Sequence, residues 1–245
     1  MKKHINTLIV CVSVIVCVTI FSGHLVALKT AQNNYLTVTG SATKSFTSDL
    51  IVWRGEFSKK AKTLKEAYER LRKDTLAVKE YLLKNTVAEK EIVFSSIEMQ
   101  ENFEYEYNND GRIRKTIFSG YTLTQNVTIN SADVDKIEQI SRDITELIDQ
   151  GVELFSLPPE YYYTRLDELK MDLIAQSAEN TRVRAETLAN QSGGRIAQLR
   201  SASLGVFQIT AENSSAEAYS SGGVFNVSSK NKTAFITTRL EYLLK

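Results

Sequence analysis

Residues 91–130, EIVFSSIEMQENFEYEYNNDGRIRKTIFSGYTLTQNVTIN, read as two long β-strands folded back on each other. The outgoing arm, Glu91 to Tyr107, is rich in β-forming residues, with Phe103, Tyr105 and Tyr107 on one face and Glu104 and Glu106 on the other. Asn108-Asn109-Asp110-Gly111 supplies residues that tolerate positive φ, the usual chemistry of a hairpin turn. The return strand, Arg112 to Asn130, carries Leu123, Val127 and Ile129 in alternation. Arg112, Arg114 and Lys115 oppose an acidic arm. Such cross-strand charge pairs contribute only about 0.2–1 kcal/mol each, so the tip reads as a solvated hairpin end.

The hairpin lies between two helices. Upstream, Leu64, Tyr68, Leu71, Thr75, Val78 and Leu82 recur at three- and four-residue steps, an amphipathic helix from Thr63 to near Asn85. Before it, residues 35–59 read as two strands joined around Phe46–Asp49. Downstream, Ser131 or Asp133 caps a second helix through Gln150, with Ile137, Ile140, Ile144 and Leu147 as its buried stripe and Gly151 as its C-terminal stop. A short strand, Val152 to Leu157, ends at Pro158-Pro159. Tyr161-Tyr162-Tyr163 leads into a long helix, Thr164 to Ser192, whose face carries Leu166, Leu169, Leu173, Ala185 and Leu188 and which Gly193-Gly194 ends. Arg195 to Thr210 and Phe225 to Leu243 read as the last two strands, separated by a polar loop, Glu212 to Gly223.

The order is ββαββαβαββ. It predicts an α+β fold: an antiparallel-dominated sheet with helices on one face and a ferredoxin-like βαββαβ core. The third helix and last two strands are expected to extend that sheet, with the first strand helping to pair it.

The N-terminus sets the expected location. MKKHINTLIVCVSVIVCVTIFSGHLVAL, residues 1–28, opens with Lys2 and Lys3 and continues as an apolar run. Residues 1–31 are read as a signal-anchor leader and residues 32–245 as the body, which suits one domain or two small intertwined ones. As a helix, Ile5 to Leu28 spans ~36 Å, enough to cross a bilayer. The lysines place the N-terminus inside and the body outside the cell membrane. A leader cleaved to release a periplasmic or secreted body is the alternative, since the dense core Leu8 to Phe21 is signal-sized.

Both cysteines (Cys11, Cys17) and both histidines (His4, His24) lie in this leader. The body therefore lacks the thiol or imidazole that serine- and cysteine-type nucleophiles require, and the usual zinc and haem ligands with them. Phosphate-cradling glycine loops are missing as well. A net charge of +1 offers no basic face for nucleic acid. Glu98, Glu101, Glu104 and Glu106 are the densest carboxylate group, but in a strand they splay to both faces and read as a solvated arm. Tyr161–Tyr163 reads as core or interface packing rather than a binding patch, and Glu212–Gly223 as an open question. Five Asn-x-Ser/Thr triplets (Asn126, Asn190, Asn213, Asn226, Asn231) carry little weight, Asn126 falling inside an expected strand. No catalytic, cofactor-binding or metal-binding residue is assigned.

Several stretches together resemble the SIMPL-domain (YggE-like) family, named for a domain of unknown function. YLTVTGSATKSFTSDLIVWRGEFS looks like its opening pair of strands, with Gly40 present and Lys44 where a second small residue often stands. GYTLTQNVTINSADVDKIEQI and AQSAENTRVRAETLANQSGGRIAQLRSAS are similar to a later strand–helix unit and the long third helix. The resemblance covers Tyr35 to Lys245. It implies an exported or membrane-anchored protein, assembly in some members into ring-like oligomers, and a link in some to oxidative or envelope stress. It supplies no catalytic residues. The expectation is a non-enzymatic, membrane-anchored, self-assembling protein, with an exported binding module for an envelope ligand or partner protein as the alternative.

Overall fold

The computed structural model describes residues 15–22, 35–214 and 222–245. Residues 15–22 are helical. The rest of the 1–31 leader lies outside the described residues, and no helix among those described is long and apolar enough to cross a membrane. The body divides into two compact units, each assembled from separated stretches of chain. The first takes residues up to Lys44 with Glu168–Phe207 and Phe235–Lys245; the second takes Ser45–Asp167 and Gln208–Ala234.

The strands are β1 (Tyr35–Thr47), β2 (Leu50–Ala61), β3 (Ile92–Phe94), β4 (Glu98–Tyr107), β5 (Ile113–Ser131), β6 (Leu154–Ser156), β7 (Glu160–Tyr162), β8 (Ile196–Leu204), β9 (Gln208–Ala211) and β10 (Asn231–Leu244). The helices are α1 (Leu64–Lys84), α2 (Val134–Asp143) and α3 (Leu166–Gln191). The chain is α+β, as its periodicities predict, but two expected strands, Glu91–Tyr107 and Arg195–Thr210, are each cut in two, and a short strand that the sequence does not predict, β7, follows the prolines that end β6. The outgoing hairpin arm breaks at Ser95, whose hydroxyl accepts from Asn126 N at 3.0 Å. Pro158-Pro159, lacking N–H groups, separates β6 from β7. Gly205 separates β8 from β9, where its N–H donates to Thr237 O at 2.8 Å. The last strand begins at Asn231 rather than Phe225, because Asn226 Oδ1 accepts from Ser229 N at 2.9 Å and turns the chain there.

The described strands form two sheets instead of one extended sheet. A six-stranded sheet has the order β3-β5-β2-β6, with β4 also pairing β5 and β7 also pairing β2; a four-stranded sheet has the order β1-β10-β8, with β9 pairing β10. The expected pairing of β1 with β2 does not form. One edge of β2 is taken by β5 over Ile51–Ala61, and the other by β7 at Leu50–Val52 and β6 at Gly55–Phe57. Little backbone edge is left for β1, which pairs with β10 instead. Asp49 then turns the chain, accepting from Thr164 N at 2.7 Å and Thr164 Oγ1 at 2.8 Å.

The core of the second unit lies between the six-stranded sheet and its two helices. Ile51, Trp53 and Phe57 alternate on β2 and face the same side as Leu123, Val127 and Ile129 on β5, all of them buried. α1 meets them with Ala67, Leu71, Val78 and Leu82, and is capped by Thr63, whose hydroxyl accepts from Glu66 N. α2 contributes Ile137 and Ile140, the following 3-10 turn Ile144 and Leu147, and Gly151 ends it at φ 81°. This matches the expected stripe and stop residue by residue.

Lys232 is also buried, in the same unit. Its ammonium donates to Tyr161 O and lies 5.7 Å from the Phe225 ring centre, with no ion-pair partner among the described residues. Burial pushes its pKa down to about 8. The unfolded chain keeps this proton to the ordinary lysine value of 10.5, so between about pH 8 and 10.5 it binds more protons than the folded chain and stability rises with pH. Chemical denaturation across that window should show a gain of up to about 3 kcal/mol, absent in Lys232→Met.

In the first unit, α3 packs on the four-stranded sheet with a face of small and polar residues. Its buried positions are Leu169, Leu173, Ser177, Thr181, Ala185 and Ala189. Leu188, expected inward, is 52% exposed. The small side chains let Gly40 of β1 approach the helix closely, so that a Cβ at Gly40 would stand 2.3 Å from Thr181 Oγ1. Val38, Leu240 and Tyr242 complete this smaller core.

Candidate functional site

The sequence stripe of α1 includes two residues that the fold leaves outside. The buried row runs through Ala67, Leu71, Asp74, Val78 and Leu82, so Leu64 and Tyr68 fall on its flank, 43% and 48% exposed. Together with Ile97, Met99 and Leu123 they line an open apolar groove of about 600 Å³. The groove forms because α1 begins at Leu64, while the sheet beneath it continues farther.

That continuation is the hairpin of β4 and β5. β2 ends at Ala61, opposite Tyr121. Beyond that point β5 pairs with β4 alone, making a two-stranded arm. Phe103 stands opposite Phe118 and Tyr105 opposite Thr116, while Glu104 and Glu106 stand opposite Ile117 and Lys115 on the other face. The aromatic face is the one that carries Met99 opposite Leu123, so it prolongs the helix-covered side of the sheet. Phe103 and Phe118 meet edge to face at 5.8 Å, and Phe118 and Tyr121 at 5.1 Å. Even so, Phe103, Tyr105, Tyr107, Ile113 and Phe118 are all exposed. At the tip, Asn108 Oδ1 accepts from Asp110 N and Arg112 N, and Gly111 takes φ 75°, the turn chemistry expected there.

The arm emerges at Gly120. The register slips between Asn102 and Phe103, and Gly120 sits at φ 126°. A Cβ there would stand 2.3 Å from Ala61 O, so only glycine lets the arm leave the sheet at this point. Phe103, Tyr105 and Tyr107, with Phe118 across from them and Met99 beyond Glu101, put exposed apolar side chains on one face, the kind of patch that marks an interaction surface. A two-stranded ribbon is also marginal in water by itself, and gains most from a covering partner.

Other residues noted in the sequence are dispersed. Glu98, Glu101, Glu104 and Glu106 are exposed along β4 and make no ion pair among the described residues. Tyr161 is buried in the core, where burial raises its hydroxyl pKa. Tyr162 donates to Glu160 at 2.8 Å; that hydrogen bond raises the tyrosine and lowers the carboxylate, which also receives Arg54 at 3.1 Å. Tyr163 lies against Phe46 at 4.8 Å. The three tyrosines thus have three separate environments, in keeping with packing. Within Glu212–Gly223, residues 215–221 lie outside the described residues. The groove-lining role of Leu64 and Tyr68 was hidden in the sequence by their fit to the helical period.

Among solved structures, a hydantoinase/carbamoylase family amidase from Burkholderia ambifaria aligns at 16% identity over 58% of this chain and 34% of its own, with a TM-score of 0.19. So low a score bears on neither fold nor activity. No match was found among curated proteins. The family model for SIMPL, described as a protein of unknown function (DUF541), matches residues 36–235, and the chain belongs to that family.

Proposed function

We propose that this SIMPL protein is a non-enzymatic, membrane-tethered extracytoplasmic protein that self-assembles through the aromatic face of its β4–β5 arm. The single observation that supports assembly is this sheet face, which runs past the end of α1 with its aromatic side chains uncovered. Support for the tether and the outward body is compositional: two lysines followed by an apolar run long enough to span. The resemblance adds an envelope or stress-protective role to the reading.

Of the β4 carboxylates only Glu101 shares the aromatic face; Glu98, Glu104 and Glu106 lie on the other, so two arms that meet through their aromatic faces bury the rings without burying those three charges. The test is the mass of the full chain in mild detergent, by light scattering, for wild type and for Phe103→Ser/Tyr105→Ser/Phe118→Ser. Buried aromatic anchors are worth about 2 kcal/mol or more each, so the triple variant should associate at least about a thousand-fold more weakly and run as a monomer. A wild-type protein that is itself monomeric at micromolar concentration overturns the proposal, as does a triple variant of unchanged mass.

A further inference from the structure

The aromatic face of the arm carries one carboxylate. Glu101 stands between Met99 and Phe103 in the alternation of β4, opposite Tyr121, and is exposed in the single chain. It makes no ion pair among the described residues, and Lys65, at the edge of the neighbouring groove, forms none with it. A second copy laid over this face takes Glu101 out of water, and a buried carboxylate is strongly unfavourable without a partner. Assembly through this face therefore has to bring a cation to Glu101.

Which cation reaches it depends on how two arms lie. Running in the same direction, they set Glu101 against Glu101, like charges that repel in a dry interface. Running in opposite directions, each tip lies over the base of the other arm. The tip brings two arginines: Arg112 and Arg114 flank Ile113, and neither makes an ion pair among the described residues. Glu106 stands opposite Lys115 and Tyr107 opposite Ile113, so Arg114 is the extra residue of a β-bulge, a device that re-aims a side chain.

The apolar positions fix the register. On the aromatic face β4 presents Met99, Glu101, Phe103, Tyr105 and Tyr107, so a two-fold axis at Phe103 sets Tyr107 over Met99 and Tyr105 over Glu101. Met99 lines the open groove with Leu64, Tyr68, Ile97 and Leu123. Tyr107 and Ile113, both exposed, are the apolar pair with which the arm ends. An axis at Glu101 sets the two carboxylates on each other, and one at Tyr105 puts the polar turn Asn109–Gly111 over the groove. We propose, on the assembly reading above, that two arms cross antiparallel about a two-fold axis at Phe103, each tip seating Tyr107 and Ile113 in the other copy's groove and bringing Arg114 to its Glu101.

The test is disulfide trapping in the full chain carrying Cys11→Ser/Cys17→Ser, a background without thiols, in mild detergent. Positions 99 and 107 of one chain are about 27 Å apart along β4, beyond the reach of a disulfide, so a bond in Met99→Cys/Tyr107→Cys joins two copies. Mild oxidation should convert most of that variant to a covalent dimer, with each single variant at background. Charge reversal gives a second readout: Glu101→Arg should weaken association at least about ten-fold by light scattering, and adding Arg114→Glu should restore it to within about three-fold of wild type. A monomeric wild type overturns the assembly reading and this one with it. If the wild type assembles but the double-cysteine variant stays uncrosslinked, or Met99→Cys alone crosslinks as well, or Arg114→Glu does not rescue, the crossing alone is overturned.

Discussion

Trp53→Ala should lower the unfolding free energy by about 3–5 kcal/mol, the largest single loss expected in the molecule. Trp53 is fully buried at the centre of β2, between β5 on one side and β6 and β7 on the other. Its ring fills the space above Gly55, whose missing side chain makes the room: a Cβ there would be 2.8 Å from Trp53 Cη2. The indole N–H donates to Ser156 Oγ at 3.0 Å, and that hydroxyl donates in turn to Ser141 O at 2.6 Å, linking β2, β6 and α2. Alanine therefore leaves a cavity and also removes the donor to a part-buried hydroxyl. Thermal unfolding followed by circular dichroism should show Tm falling on the order of 10 °C. A shift within a degree or two of wild type contradicts this account of the core. Trp53→Phe, which keeps most of the ring volume but not the N–H, should lose less. Because Trp53 is the only tryptophan, its fluorescence reports on the second unit alone.

The second large effect is expected in the first unit, from Gly40→Val. A Cβ at Gly40 would lie 2.3 Å from Thr181 Oγ1, 2.8 Å from Thr181 N and 2.9 Å from Asn180 Oδ1. The neighbour includes helix backbone, so rotating one side chain does not clear the site. Thr181 itself is fully buried, its hydroxyl donating to Ser177 O at 2.7 Å and lying 3.2 Å from Thr238 O, which fixes α3 against β10. Overpacking of this kind costs about 1–3 kcal/mol and occasionally more, and two added methyl groups against backbone put valine at the upper end. Gly40→Ala should cost less, and Gly40→Ala/Thr181→Ala should cost less than the sum of its two parts, since the second change removes the closest clash. Urea unfolding of the four proteins measures this. Strict additivity would show that Gly40 matters for another reason.

Both effects trace to sequence features of unequal visibility. The alternation through Ile51, Trp53 and Phe57, the period of α1, the stripe Ile137–Leu147 with its stop at Gly151, and the turn at Asn108–Gly111 are local patterns, and each is found in the fold. Gly40 carried weight only through resemblance; the contact that explains it joins residues far apart in the chain. The apolar groove was the least legible feature. Leu64 and Tyr68 obey the helical period as well as Leu71 does, and only the position of α1 on the sheet decides which of them is covered.

By itself, then, the sequence determined the class of fold, most helices and turns, the absence of thiol and imidazole from the body, and the family. These depend on composition and on periods of two and 3.6 residues, which act within a few neighbours. Only the tertiary structure decided that β1 pairs with β10 rather than β2, that the strands form two sheets, and that the aromatic hairpin face runs on beyond its helix. Strand pairing is a competition for backbone edges, and coverage is a matter of where a helix stops over a sheet. Neither is encoded by any one segment, because each is settled by what the rest of the chain has already occupied.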